Sequence, residues 1–266
     1  MPLQIIRETA TELVYRDTYE VEMVVPKPLV SGADLPYEDG VPLESNWQRA
    51  QMDLLIDLIS LHWAGRTDFY AGGNMFIYYS QNRLKREDAH GPDFFVVKGV
   101  DKLKVRRSWV VWEEDGQYPN VIVELISPST RREDEGRKKE LYQNTFRTPE
   151  YFLCYPDEQR VVGWRLVEGR YEPMTPDERG WLWSQQLEVW LGLWTGYSDN
   201  YEYNTWLRFY EPNGTLIPDS RERMAEAEAN AQAAEARAQA AEARAEAEAA
   251  RRAEVEAKLR ELEGKL

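Results

Sequence analysis

Every aromatic residue of the chain lies before residue 218. The 10 Trp, 15 Tyr and 7 Phe all precede Pro218; residues 219–266 hold none, and from Met224 to Ala257 almost every second residue is Ala. Aromatic side chains carry much of a core's buried area, so the core must be built from the first 218 residues. The tail must be something that needs no core. It contains a seven-residue repeat, AEARAQA at 234–240 and AEARAEA at 241–247. Ala, Glu and Arg favour helix. A heptad seam runs through Met224, Ala227, Ala231, Ala234, Ala238, Ala241 and Ala245, breaks at Glu248 and Arg252, and resumes at Val255, Leu259, Leu262 and Leu266. This pattern predicts a long Ala-rich helix that forms a coiled coil and ties the chain into a homo-oligomer. The competing expectation is a lone solvated helix, because an Ala seam buries little area.

The chain carries 33 Lys+Arg against 47 Asp+Glu, a net charge of −14. The tail accounts for 12 acids and 9 bases, which leaves 35 acids and 24 bases in the body. Such a chain does not coat nucleic acid through bulk charge, so any contact must use a local basic patch. KGVDKLKVRR (98–107) and TRREDEGRKK (130–139) are the dense basic stretches of the body. They offer Lys98, Lys102, Lys104, Arg106, Arg107, Arg131, Arg132, Arg137 and Lys139 as a phosphate track, or as ordinary charged loops. No apolar run reaches the ~20 residues of a membrane span, and Met1 to Tyr15 lacks the apolar block of a signal peptide. One cysteine, Cys154, excludes a disulfide framework and a multi-cysteine zinc site. Two histidines, His62 and His90, leave little room for a His-rich metal site or a Ser-His-Asp triad. The expected setting is a reducing cytoplasm, with no membrane partner.

Three parts follow: an N-terminal arm (1–30) rich in Val, Thr and Tyr, a folded domain (31–218) and the helical tail (219–266). PYEDGVP (36–42) opens the domain as a turn. Trp47, Leu54, Leu55, Leu58, Ile59 and His62 recur at helical spacing and predict a helix over 43–64. Strand-like runs follow at 75–80, 93–97, 109–113 and 120–127, then a helix over about 134–146. Further strands are expected at 151–155, 160–167, 170–174, 187–194 and 206–210, with a hairpin at Glu168-Gly169. The mixture predicts an α/β or α+β domain built on a mixed sheet with at least two helices.

Four residues stand out within this frame. Asp93 follows Gly91-Pro92 and opens an apolar strand, where loops expose side chains. Glu124 sits inside VIVELI, a run of the kind covered on both faces; a carboxylate buried there needs a cation or a hydrogen-bond partner. Lys138 falls at about 60° on a helical wheel whose inward face is set by Leu141, Tyr142, Thr145 and Phe146, while Lys139 falls at about 160°, on the rim. An inward lysine either reaches a sheet carboxylate or pairs with Asp134, four residues earlier. Glu44 lies near the start of the first helix, where an acid also serves the helix dipole. Two carboxylates can hold Mg²⁺ through oxygen, and the ion can activate water against a phosphate.

GPDFFVV, VIVELISPSTRREDEGRKKELY and TPEYFLCYP together resemble the bacterial putative restriction endonuclease family of the PD-(D/E)XK phosphodiesterase superfamily, over roughly residues 40–165. The resemblance implies a restriction-endonuclease-like α/β core, a mixed sheet flanked by helices. It implies metal-binding and catalytic roles for Asp93 and Glu124, and an additional acid at Glu44. Two residues past the glutamate, where the superfamily has its lysine, stands Ile126. Lys138 fills the place the lysine takes in members where it has moved to the following helix. Ser127, Ser129 and Thr130 form the loop and cap that enter that helix. The function so implied is a Mg²⁺-dependent (or Mn²⁺-dependent) endonuclease that hydrolyses phosphodiester bonds, with DNA as its nucleic-acid partner. The alternative is a catalytically inactive nuclease-like scaffold that assembles through its tail.

Overall fold

The structure is a computed structural model that describes residues 4–8, 12–16, 22–26, 29–35, 45–81, 91–196 and 203–263. The chain divides into two compact units, Met1–Ile217 and Pro218–Leu266.

In the first unit, β1 (Gln4–Glu8), β2 (Glu12–Arg16) and β3 (Glu22–Pro26) form a small antiparallel sheet. Helix α1 (Asn46–His62) begins where the Ser45 hydroxyl accepts from the Gln48 amide at 3.1 Å, a side-chain N-cap. The main sheet has six strands in the order β11-β10-β9-β8-β6-β4: β4 (Phe69–Gly72), β6 (Phe94–Lys98), β8 (Val121–Leu125), β9 (Glu150–Tyr155), β10 (Arg160–Val167) and β11 (Arg170–Pro173). Within this sheet only β8 and β9 pair in parallel. A parallel pair requires a crossover, and residues 131–146 supply it. A second sheet is built from β12 (Leu182–Ser184), β13 (Val189–Thr195) and β14 (Thr205–Tyr210), and β5 (Ile77–Tyr78) pairs with β7 (Trp109–Val110).

Strand alternation sends side chains of the main sheet to two cores. Phe94, Val96, Val121, Val123, Leu125, Phe152 and Cys154 face Leu55, Leu58 and Ile59 of α1 and Leu191, Leu207 and Phe209 of the second sheet. Phe95, Val97, Ile122, Tyr151 and Leu153 face Trp109, Tyr142 and Phe146. Both faces are covered, so β8 reads as an unbroken apolar run interrupted only by Glu124.

The crossover departs from a regular α-helix. α2 (Arg131–Glu133) passes into a π turn at Asp134–Lys138, then α3 (Lys139–Leu141), then a second π turn at Tyr142–Phe146. The wider π turns change the phase of the side chains. Tyr142 and Phe146 stay buried, but Thr145 is exposed, contrary to the 100° wheel. The sequence reading also differs at 109–113, where β7 gives way to a 3₁₀ turn at Val111–Glu113, and it misses β4 and β12.

Two glutamines of α1 lie in its buried stripe. Gln51 brackets one residue of β14: its Nε2 donates to the Leu207 carbonyl at 3.0 Å and its Oε1 accepts from the Leu207 amide at 2.8 Å. The Trp47 indole donates to the Thr205 carbonyl at 3.1 Å, and the Ile217 amide donates to Phe209 at 3.0 Å.

The second unit is a single helix, α4 (Ser220–Glu263). Asp219 and Glu222 form a reciprocal capping box, each carboxylate accepting from the other's amide at 2.8 Å. Met224 and Val255 of the expected seam are exposed within the single chain; Leu266 lies outside the described residues. No described helix is long and apolar enough to cross a membrane.

Candidate nuclease site

The site forms where β6 begins and β8 ends. Antiparallel register pairs Phe94 with Val123, so one step further Asp93 stands opposite Glu124 on the face covered by the 131–146 crossover. The strand ends hold the carboxylates with backbone amides. Asp93 Oδ2 accepts from the Leu125 amide at 2.7 Å, and Glu124 Oε2 accepts from the Asp93 amide at 3.2 Å. From α1, Gln48 Nε2 donates to Asp93 Oδ1 at 2.9 Å.

The crossover lowers two further groups onto Glu124. Tyr142 donates its hydroxyl to Oε1 at 2.8 Å, and Lys138 Nζ lies 3.2 Å from the same oxygen. The ammonium also lies 2.7 Å from Asp134 Oδ1. The two pairings expected of Lys138, with a sheet carboxylate or with Asp134, therefore hold at once. A π turn carries both partners: Asp134 opens it and Lys138 closes it.

Asp93, Glu124 and Lys138 are thus brought together, and Glu44 lies outside the described residues. Ser127, Ser129 and Thr130 bond one another, with Ser127 Oγ 2.8 Å from Ser129 Oγ and 3.2 Å from Thr130 Oγ1. They knot the loop instead of placing a side-chain cap on α2. Gln48, Asp134 and Tyr142 complete the site. Gln48 carried a signal, as a polar residue within an apolar helical stripe; Tyr142 looked like ordinary core.

Burial sets the electrostatics. Glu124 is fully buried, and this pushes its carboxyl up to about 8; Lys138 pulls it down, and Asp93 and Asp134 push it up. Burial likewise raises Asp93, against the pull of Lys138. Burial opposes the charge on Lys138, but Glu124, Asp134 and Asp93 outweigh it and hold the ammonium above the ordinary lysine range. Tyr142 is raised well above its usual range by burial and by the adjacent Glu124. Burial pushes the Cys154 thiol up to about 12, which leaves it unreactive.

The basic stretches are partly spent on internal contacts. Arg131 pairs with Glu135 at 3.1 Å and Glu158 at 2.6 Å. Lys139 lies 3.7 Å from the centre of the Trp164 ring, away from the carboxylates. Arg106 is buried against Glu114 at 2.8 Å and cannot serve a phosphate track.

A mixed sheet covered by helices, with paired carboxylates at adjoining strand ends, defines a protein of the restriction-endonuclease-like class. Residues 36–198 match the Uma2 family, described as a putative restriction endonuclease family. The match spans more than half of the 266 residues, and the chain belongs to that family. No curated protein matches it. Among solved structures it is similar to a putative nuclease belonging to DUF820 from Anabaena variabilis, with 15% identity and a TM-score of 0.37 over 58% of this chain and 74% of that one.

Proposed function

We propose that this family member is a metal-dependent endonuclease acting on DNA, with Asp93 and Glu124 as the metal-holding carboxylates and Lys138 as the catalytic cation. The observation that carries this reading is the meeting of Asp93, Glu124 and Lys138 at one end of the sheet.

The donor set suits a hard divalent ion. Three carboxyl groups, Asp93, Glu124 and Asp134, face one ammonium in a largely buried place; burial raises Asp93 and Glu124, and a divalent ion would supply the charge that lets them ionise. Mg²⁺ is held by one or two carboxylates and keeps several waters. Asp93 and Glu124 supply such a pair. Among the described residues no group of three or more His, Cys, Asp or Glu side chains is arranged to hold a metal, so water would complete the shell. When bound, Mg²⁺ or Mn²⁺ would acidify a water and offset charge on the scissile phosphate.

The chain's own groups have separate tasks. Gln48 and the Leu125 amide fix Asp93; Tyr142 and the Asp93 amide fix Glu124. Lys138 is held protonated by its three carboxylates, so it acts as a fixed positive charge beside the phosphate and not as a proton acceptor. The Ala-rich helix is the element we assign to oligomerisation.

The test is cleavage of mixed DNA and RNA substrates with Mg²⁺ or Mn²⁺. Wild type should cut DNA, Glu124→Gln and Lys138→Met should lose cleavage, and Lys139→Met should keep it. Full cleavage by Glu124→Gln would remove the site. Metal binding without cleavage of any substrate would favour the nuclease-like scaffold.

A further inference from the structure

The loop between β6 and β7 displays apolar side chains that it cannot fold away. Residues 101–107 read DKLKVRR. Leu103 is 82% exposed and Val105 92% exposed, more than any other large hydrophobic residue described. The loop is wound around Arg106. That guanidinium donates to the carbonyls of Asp101 (2.9 Å) and Lys104 (3.0 Å) and to both oxygens of Glu114 (2.9 and 2.8 Å). It also packs against the rings of Tyr70 and Trp109, at 4.9 and 5.0 Å. The Lys102 amide donates to the Thr67 carbonyl at 3.0 Å and the Leu103 amide to Asp101 Oδ1 at 2.9 Å. A loose loop would bury its leucine; this one is pinned with Leu103 and Val105 in water, against the hydrophobic drive.

The surroundings of these tips are cationic. Four bases and one acid occupy 101–107, within a chain of net charge −14. Glu114 is shared by Arg106 and by Lys104, 2.7 Å away, which leaves one positive charge over. Apolar tips among cations suit an anionic surface with an apolar interior. A lipid bilayer would also confront the acidic remainder of the body across a wide plane. A duplex is narrow and meets only the loop and its flanks. Asp93 and Lys98 lie at opposite ends of β6, roughly 17 Å apart for five residues. That is about five base pairs of B-form duplex, so one short duplex is long enough to meet both the site and the loop.

We propose that the 101–107 loop is a wedge for duplex DNA. Leu103 enters a base step and Val105 packs beside it, while Lys102, Lys104 and Arg107, but not the buried Arg106, meet the flanking phosphates. Apolar wedges of this kind unstack and kink a duplex. The proposal rests on the nuclease reading above and adds to it where the substrate is bent.

The test uses the full chain, Ca²⁺ in place of Mg²⁺, and a duplex carrying 2-aminopurine at successive positions. Wild type should raise 2-aminopurine fluorescence at one step. Leu103→Ser/Val105→Ser should abolish that rise and weaken binding about tenfold, with an unchanged melting temperature because both side chains lie outside the core. Equal unstacking by the two proteins overturns the wedge, and metal-dependent cleavage by the variant would then leave the nuclease reading intact. Unstacking by a Glu124→Gln protein that cannot cut would support the wedge and the site together. No unstacking by wild type overturns the wedge whatever the cleavage assay reports. Leu103-dependent binding to phosphatidylserine vesicles without duplex binding would assign the loop to membranes and overturn it as well.

Discussion

Lys138→Met isolates the electrostatics of the site. Methionine keeps the aliphatic stem and removes the ammonium that, among the described residues, lies 3.2 Å from Glu124 and 2.7 Å from Asp134. Removing one partner of a buried ion pair costs about 3–5 kcal/mol. For a folded body of 217 residues, a loss of ~4 kcal/mol lowers the melting temperature by roughly 10 °C. The loss depends on pH in a defined direction. Glu124 is raised by burial to about 8, so it contributes stability that is present below the ordinary carboxylate range and disappears as pH rises toward 8. Asp93, also raised, acts in the same sense. Lys138 is raised above the ordinary lysine range, so its own contribution is constant below that range. Metal-free wild type should therefore lose stability from about pH 5 to about pH 8 and then level off. Without Lys138 the main downward pull on Glu124 is gone and the Tyr142 hydrogen bond is left to oppose its rise, so the variant should keep falling beyond that point and the gap should widen. Divalent metal should close it, because a ligand at roughly a hundredfold over its dissociation constant adds about 2.7 kcal/mol, and the variant has lost a competing cation. Thermal unfolding followed by circular dichroism across this pH range, with and without Mg²⁺, measures all three effects. A variant that melts with wild type at alkaline pH, or a gap that shrinks as pH rises, would refute the reasoning.

Further outcomes follow from other parts of the fold. Glu124→Gln should fold but lose any Mg²⁺-induced rise in melting temperature; an unchanged metal response in calorimetry would take Glu124 out of the metal site. Gly73→Ala should destabilise the body by about 1–3 kcal/mol and weaken metal binding, because a Cβ there would meet the Asp93 carbonyl oxygen at 2.3 Å; wild-type metal affinity in that variant would separate Gly73 from the site. Gln51→Leu should cost about 2 kcal/mol, since it strands the Leu207 amide and carbonyl in the core; urea denaturation reads this directly. Truncation after Pro218 should leave a folded body and lower the oligomeric state. Identical oligomeric states by light scattering would mean that the tail does not drive association.

What could be read from the sequence was the conflict between a residue and its surroundings. Glu124 within VIVELI and Lys138 on an inward helical position are each out of place locally, and the fold brings them to one point. The same rule would have drawn out Gln48 and Gln51 from the apolar stripe of α1. Other features left no such conflict. Tyr142 reads as core from its neighbours, and only the fold places its hydroxyl on Glu124. The π turns are invisible to a fixed 100° period, which is why Thr145 was expected inward. Arg106 looked like one more surface base in KGVDKLKVRR, because a buried guanidinium is defined by Glu114, Tyr70 and Trp109, up to 36 positions away in sequence. The short strands β4 and β12 carry too few residues for alternation to register.

The bracket that Gln51 places on β14 also limits how copies of this chain can join. An edge strand with open amides and carbonyls is a template for another strand, in dimers, domain swaps and fibrils alike. β14 is such an edge, but four of its outward groups are occupied. The carbonyl of Thr205 goes to Trp47, both groups of Leu207 go to Gln51, and the carbonyl of Phe209 goes to Ile217. A glutamine amide here imitates a short piece of neighbouring strand and ends the sheet. Growth by adding strands along this border is therefore opposed, and a mutation at Gln51 would weaken that opposition, with strand-exchanged dimers and aggregation as its signs.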